Sequence, residues 1–349
     1  MKAHASFCLL LSLLGGTCNA APSADNIFFY RASYFPGTPR FDLETLTSIE
    51  VMAAGGSSRH ARTASGKKVP LRAFHNHHCG SEEFIVAEAF FGWTQNICHG
   101  LFLYALLPFR SLKLNSHDNR SDNPLFPAFM CKEGMGDASF YLGWTLNYQE
   151  TEVLDFIDMT IKVGALAPTA PVPACLLSLG NDGHIGIPCT IDFAIGAYDW
   201  LTLGGHFSIV PFLSKERTLL ECDNAELVHI HAQVHRGPQW LTALYLQADH
   251  FFRGFSLIFA YSYAKKYKDH LQSCVGPMSD TCTASATCLI PTWSLQTVHF
   301  SLEYDFTKQF ATTGFRLGMF YDVNVAGKNV FTTSMGGGNL GVEAKWSFH

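Results

Sequence analysis

The stretch Val298-His-Phe-Ser-Leu-Glu-Tyr-Asp-Phe306 alternates without a break between apolar and polar side chains. Successive side chains of a β-strand point to opposite faces, so this segment has one apolar face and one polar, charged face. The same alternation recurs in many segments of the chain. A series of such strands is typical of a membrane barrel, with lipid outside and water inside. We therefore expect an all-β fold, a transmembrane antiparallel β-barrel.

The alternation predicts twelve strands, at 27–35, 83–95, 100–114, 135–149, 156–167, 188–198, 201–213, 228–250, 255–267, 294–306, 314–325 and 339–349. The short connections are 96–99, 150–155, 199–200, 251–254 and 307–313, and the long ones are 36–82, 115–134, 168–187, 214–227, 268–293 and 326–338. Short and long connections alternate throughout, as in a membrane barrel with short periplasmic turns and long outer loops. An even strand number places both termini on the periplasmic side.

Two of these strands are irregular. The segment 228–250 contains Gly237-Pro238, and a proline cannot donate to a sheet ladder. It is either one strand or a short hairpin followed by a strand from Trp240. The segment 27–35 precedes the very long first connection, 36–82.

Residues 1–20 have the layout of a secretory signal, with Lys2, an apolar run and small residues up to Ala20. The run is too short for a membrane-spanning helix, which needs about 20 apolar residues. Lipidation at Cys18 is the alternative, although Gly16 and Thr17 fit that signal poorly. We expect a signal peptide over 1–20, an N-terminal strand and polar segment over 21–82 that forms a first loop or plug, and a barrel over 83–349.

The composition agrees with a membrane barrel. Charged residues make up 15% of the chain, against about 25% in typical soluble domains. The net charge of −5 argues against a nucleic-acid partner. Expected partners are the lipid bilayer with its outer-membrane lipids, and small solutes. The expected location is the bacterial outer membrane.

The ionisable side chains in the strands share the face opposite to the apolar one. They are Asp158, Lys162, Asp192, His206, His299, Glu303, Asp305, Arg316, Asp322, Glu343 and Lys345. An Arg or Lys on the lipid face costs about 2–4 kcal/mol at mid-bilayer, so this shared face predicts a lumen lining. Because the acids outnumber the bases, the lumen should mildly favour cations. The alternative is that these groups pair across the barrel and plug it.

Two motifs resemble outer-membrane proteins associated with phenol meta-pathway degradation, relatives of the long-chain fatty-acid transporters. They are Gly134-Met-Gly-Asp137-Ala-Ser-Phe-Tyr-Leu-Gly-Trp144 and Lys162-Val-Gly-Ala-Leu-Ala-Pro168-Thr169. The aromatic-rich ending Glu343-Ala-Lys-Trp-Ser-Phe348 resembles an outer-membrane assembly signal. Ala170 replaces the final Gly of the family's second motif. The resemblance, over residues 134–349, implies a barrel that passes small molecules, including hydrophobic ones, and it transfers no catalytic residue. The ending implies recognition by the barrel assembly machinery.

Other clusters suggest weaker alternatives. His75-Asn-His77-His78-Cys79 and the set His229, His231 and His235 have metal-ligand residue types, but a solvated loop and a polar lumen explain them better, and we expect no metal or cofactor. Cys274, Cys282 and Cys288 are close enough in sequence to form disulfides in an oxidising compartment. Trp200, Trp240 and Trp293 fall at strand ends, where interfacial aromatic residues are expected.

The expected function is passive passage of small solutes through a porin or transporter. One alternative is a structural or surface-binding barrel. Another is an outer-membrane phospholipase, because His299-Phe-Ser301 and His206-Phe-Ser208 have the spacing of a His–Ser pair on one strand. Both pairs share the inward face, whereas a lipid-cleaving site should meet the bilayer. We therefore expect no enzyme activity.

Overall fold

The structure, a computed structural model, describes residues 45–71, 82–116, 129–149, 154, 156–171, 179–197, 200–223, 226–252, 254–275, 292–306 and 313–346. In chain order its strands are β1 (Thr45–Ser58), β2 (His60–Arg62), β3 (Lys68–Pro70), β4 (Glu82–Cys98), β5 (Leu101–Ser116), β6 (Phe129–Met135), β7 (Ala138–Gln149), β8 (Phe156–Ala167), β9 (Cys189–Ala197), β10 (Leu201–Val210), β11 (Lys215–Asp223), β12 (Glu226–His235), β13 (Gln239–Phe252), β14 (Phe255–Lys266), β15 (His270–Val275), β16 (Trp293–Asp305), β17 (Thr313–Lys328), β18 (Val330–Phe331) and β19 (Ser334–Trp346). Among these residues, no helix has the length and apolar character needed to cross a membrane.

Twelve antiparallel strands form a closed barrel. Their order is β1-β4-β5-β7-β8-β9-β10-β13-β14-β16-β17-β19, and β19 pairs with β1 to complete the circle. The short strand β6 continues the line of β7 along β5, which pairs with β7 over Leu101–Leu106 and with β6 over Phe109–Asn115. The predicted fold class and strand number are confirmed.

The two ends of the barrel differ. Both ends of the described chain and the connections β4–β5, β7–β8, β9–β10, β13–β14 and β16–β17 lie at one end, here called the turn end. The long connections lie at the other, the loop end, where they carry two small sheets, β11-β12-β15 and β18-β2-β3. Of the two interpretations of 228–250, the hairpin is correct: β12 belongs to a separate sheet, and the wall resumes at Gln239.

The first wall strand lies elsewhere than predicted. Thr45–Ser58 pairs with both β19 and β4, so a wall strand lies within the segment 36–82 that the sequence predicts to be a loop. The sequence placed this segment in the first loop because Ala53 to Ser57 are all small, which leaves the alternation of apolar and polar residues weak. The predicted strand 27–35 and signal peptide 1–20 lie outside the described residues.

The wall has the two faces that alternation predicts. In β16, Phe300 is 44% exposed, whereas its neighbour His299 is 3% exposed. The outward apolar side chains of the other strands show the same exposure, among them Phe140, Leu142, Trp144, Ile161, Ile191, Phe193, Leu203, Phe207, Leu257, Phe259, Leu317 and Val342. This apolar belt faces the lipid, because a membrane barrel leaves half of each strand in contact with the acyl chains.

Large aromatic side chains lie over glycines on the inner surface of the wall. Gly204 pairs with Tyr245 of the next strand, and a Cβ at Gly204 would lie 2.0 Å from the Tyr245 ring. Gly143 and Phe102 repeat this arrangement at 2.1 Å. The absent side chain therefore lets a ring lie flat across its neighbouring strand, which packs the wall where a larger residue would clash.

Candidate solute path

The lumen is divided into a partly open half and a packed half. Near the turn end, the large polar side chains of the inner face are half-exposed, and the short Ser and Thr side chains between them are buried. The half-exposed group includes Glu50, Tyr104, Tyr141, Asp158, Glu303, Asp305, Arg316, Asn339 and Glu343. Near the loop end, most inner side chains are buried. Water therefore reaches the inner wall mainly from the turn end.

The half-exposed group just named lines a water-accessible region that we call the vestibule. Carboxylates dominate the charge of the vestibule. Arg316 forms an ion pair with Glu343, and Asn339 donates to Glu303 at 3.0 Å. Glu50 and Asp305 also lie close enough to act on the Arg316 guanidinium. The vestibule contains five carboxylates and the Arg316 guanidinium, and the half-exposed Lys162 adds one ammonium group, so acids outnumber bases and the vestibule is electronegative.

Two pairs of His and Asp cross between neighbouring strands above the vestibule. His299 of β16 lies opposite Asp322 of β17, and the two side chains are bonded through Nδ1. His206 and Asp192 form the same contact between β10 and β9, and Lys162 binds the second Asp192 oxygen at 2.8 Å. Both pairs join neighbouring strands of the wall. The alternative that the sequence left open, pairing across the barrel that plugs it, stays a prediction.

The packed half of the lumen contains an apolar cluster on one side. It gathers side chains of β1, β4, β5, β17 and β19 with residues of the loop end: Met52, Ala54, Ala61, Leu71, Phe84, Val86, Phe90, Leu106, Leu112, Ala170, Leu179, Phe320, Phe331 and Met335. The Phe84 and Phe331 rings lie 4.8 Å apart. One side of the lumen is therefore apolar, while the facing strands β8 to β10 carry Thr, Lys, Asp and His.

The two family-like motifs within the barrel meet at a break in the wall. Residues Gly136 and Asp137 separate β6 from β7, opposite Pro108 of β5, whose carbonyl accepts from the Gly136 amide. The Thr169 hydroxyl bridges the break, donating to the Gly136 carbonyl and accepting from the Ala138 amide. The first motif thus contains the start of β7, and Thr169 of the second motif forms hydrogen bonds to the backbone there.

Asp137 turns its carboxylate inward and is 1% exposed. It accepts from the backbone amides of Ala170 and Asn181, both in the connection between β8 and β9. A Cβ at Gly180 would lie 2.6 Å from this carboxylate, so the connection passes directly over it. Sequence reasoning noted Asp137 without a partner, and the structure assigns it the role of holding a loop.

Segment Leu179–His184, here called the crossing segment, folds into the loop end of the lumen. Its carbonyl at Leu179 accepts from Arg110 of β5 at 2.6 Å, and Arg110 also binds Glu88 of β4 at 2.7 Å. At its other end, Asp182 forms an ion pair of 3.0 Å with Arg236. Sequence reasoning missed these contacts, although Glu88 and Arg110 both carry the inward parity of predicted strands.

Ten of the eleven residues predicted to line the lumen have described side chains, and all ten lie opposite the exposed apolar face. Asp158, Lys162, Glu303, Asp305, Arg316 and Glu343 are half-exposed, whereas Asp192, His206, His299 and Asp322 are buried. The side chain of Lys345, in β19, lies outside the described residues. That any of them contacts a passing solute stays a prediction.

The remaining sequence candidates have mixed outcomes. Residues 75–79, 282 and 288 lie outside the described residues, as do the side chains of His229, His231 and Cys274. No group of His, Cys, Asp and Glu suited to a metal occurs among the described residues. His235 bonds to the Ser214 hydroxyl at 2.9 Å.

The three tryptophans predicted at strand ends differ in their surroundings. Trp200 is exposed, and Trp240 packs on Tyr263 with ring centroids 5.1 Å apart. Trp293 is buried inside the loop end, where it cannot anchor an interface.

The two His-x-Ser pairs lie inside the barrel. Each His has an Asp on Nδ1, which is the orienting group that nucleophilic catalysis requires. His299 and Ser301 are 3% and 6% exposed on the inner face, away from the apolar belt. The Thr190 hydroxyl donates to Ser208 at 3.3 Å. Neither pair is placed to meet a membrane lipid.

Comparison with solved structures places this architecture among outer-membrane barrels. An outer membrane channel from Pseudomonas putida F1 matches with a TM-score of 0.60 at 12% identity, over 89% of this chain and 99% of that one. The toluene transporter TodX of Pseudomonas putida matches with a TM-score of 0.35 at 10% identity, over 96% of each chain. The transport unit of the Escherichia coli autotransporter AIDA-I gives 0.45 at 10%, over 90% of this chain and 94% of that one. Neither a family model nor a curated protein sequence matches. The chain therefore has the fold of an outer-membrane β-barrel, as predicted.

Proposed function

We propose that the protein is a bacterial outer-membrane channel through which small solutes pass by diffusion along the lumen. The observation that carries this proposal is the vestibule, in which large polar side chains are half-exposed inside a closed wall. A purely structural barrel has no need of a water-accessible interior. The fold shared with an outer membrane channel supports the same function.

The lining suggests which solutes pass. The carboxylates of the vestibule favour cations over anions, because rings of Asp and Glu select for positive charge. The apolar cluster with Phe90, Leu106 and Phe320 faces the polar strands β8 to β10, and this two-sided wall suits a solute with an apolar part.

The proposal is tested by solute uptake into liposomes that contain the purified, folded protein. Small neutral and cationic solutes should enter faster than into empty liposomes, and anions of equal size should enter more slowly than cations. A folded barrel that admits no solute above the empty-liposome rate would favour a structural or surface-binding role. Folding is checked on the same samples by the heat-dependent migration of the barrel on gels.

A further inference from the structure

The crossing segment lies at the loop end of the lumen, where a passing solute has to go by it. It leaves the wall between β8 and β9, and its contacts extend to β5 on one side and to the connection before β13 on the other. Along the wall, β5 and β13 are separated by β7, β8, β9 and β10. The segment therefore links two parts of the barrel that lie five of the twelve strand-to-strand steps apart around the wall.

The first anchor of the crossing segment is on the β5 side. Arg110 donates to the Leu179 carbonyl, and Asp137 accepts from the Asn181 amide. Arg110 is itself fixed by Glu88, with both side chains at most 1% exposed. Leu179 adds its side chain to the apolar cluster, so this end is held by charge-assisted bonds and by packing.

The second anchor is on the side of β10 and β13. Arg236 binds Asp182 and lies over the Phe212 ring at 5.2 Å. Lys215 donates to the Gly183 carbonyl at 3.0 Å, and His184 bonds to the Leu213 carbonyl at 3.0 Å. The connections β10–β11 and β12–β13 and the first residue of β11 thus converge on three successive residues of the segment, Asp182, Gly183 and His184.

The crossing segment also contains a buried polar side chain, Asn181, for which the described residues provide no hydrogen-bond partner. Asn181 is 0% exposed, and neither its side-chain oxygen nor its nitrogen has a hydrogen-bond partner among them. A buried amide of this kind costs free energy unless something else bonds to it.

We infer that the crossing segment is the barrier of the channel, and that Asp137, Arg110 and Arg236 are positioning residues that hold it across the lumen. This inference rests on the proposed function. The segment fills the loop-end half together with the apolar cluster, while the vestibule stays open. The size of solute that passes is therefore set by the segment and not by the twelve-stranded wall.

Planar-bilayer conductance tests the barrier with two variants. In one, Leu179–His184 is replaced by a glycine-serine segment of equal length. In the other, Arg236→Met releases one anchor. Both should conduct severalfold more current than the wild type, and the first should admit larger solutes. The matched control is Arg59→Gln, which removes an arginine from an exposed ion pair with Glu83 and should conduct as the wild type does.

The outcomes separate the barrier from the proposed function. Unchanged conductance in both folded variants, with a conducting wild type, overturns the barrier and leaves the channel standing. A silent wild type with conducting variants supports the barrier and contradicts unaided passage. Silence of all folded proteins overturns both. If Arg236→Met fails to fold, the segment replacement alone decides, because it leaves every barrel strand intact.

Discussion

Removing Arg110 should destabilise the barrel strongly, because it leaves the buried Glu88 carboxylate without its cation. Arg110 and Glu88 lie on neighbouring strands inside the wall, joined at 2.7 Å, with side chains 1% and 0% exposed. Breaking such a buried pair by removing one partner costs about 3–5 kcal/mol, because a carboxylate stays buried without its cation. Arg110→Met also removes the donor to the Leu179 carbonyl, and a charged hydrogen bond of this kind contributes about 1.5–3 kcal/mol. Together the two contributions predict a total loss of about 4.5–8 kcal/mol.

The assay is denaturant unfolding of the folded protein in lipid vesicles, followed by tryptophan fluorescence. The double variant Arg110→Met with Glu88→Met removes both charges and should recover much of the loss, since replacing a buried ion pair by apolar residues is often neutral or stabilising. A loss under about 1 kcal/mol for Arg110→Met, the range of an exposed pair, would show that Glu88 does not depend on Arg110 for its burial. So would a double variant as unstable as the single one.

Three further predictions concern the wall and its enzyme-like pair. Gly204→Val should destabilise the barrel by about 1–3 kcal/mol through overpacking, whereas Gly55→Ala, whose Cβ would meet only a carbonyl oxygen at 3.7 Å, should be neutral in the same unfolding assay. Phe300→Arg should cost about 2–4 kcal/mol, because it places a charge in lipid, and an effect near zero would mean that this face is not in the membrane. Purified protein should release no fatty acid from phospholipid vesicles; release that disappears in Ser301→Ala would establish the phospholipase alternative instead.

The sequence predicts the wall well where alternation is strong. In β16 and β8 to β10, aromatic and branched residues mark the lipid face so clearly that the inward parity of Asp192, His206 and His299 follows directly. The sequence does not predict the strand β1, because the side chains of Ala53 to Ser57 are too small to distinguish one face from the other. Its place in the wall depends on pairing with β19, nearly three hundred residues away, which no local pattern encodes.

The crossing segment could not be predicted from the sequence either, because its contacts join residues that are distant along the chain. Asp182 and Arg236 lie in different loops, and nothing in either loop's sequence indicates that they meet. Asp137 and Thr169 were noted as parts of separate motifs, and only the fold shows that the loop containing Thr169 passes over Asp137. Parity in predicted strands could have found Glu88 and Arg110, since each carries a charge on an inward position next to apolar neighbours.

We propose that solutes pass through a lumen whose turn end is lined by carboxylates. The reversal potential of the channel in a planar bilayer under a salt gradient tests this proposal, for the wild type and for Glu303→Lys with Asp305→Lys. We expect a cation preference in the wild type that falls in the double variant. A folded wild type without current, or a selectivity that the two lysines leave unchanged, would show that the proposal is wrong.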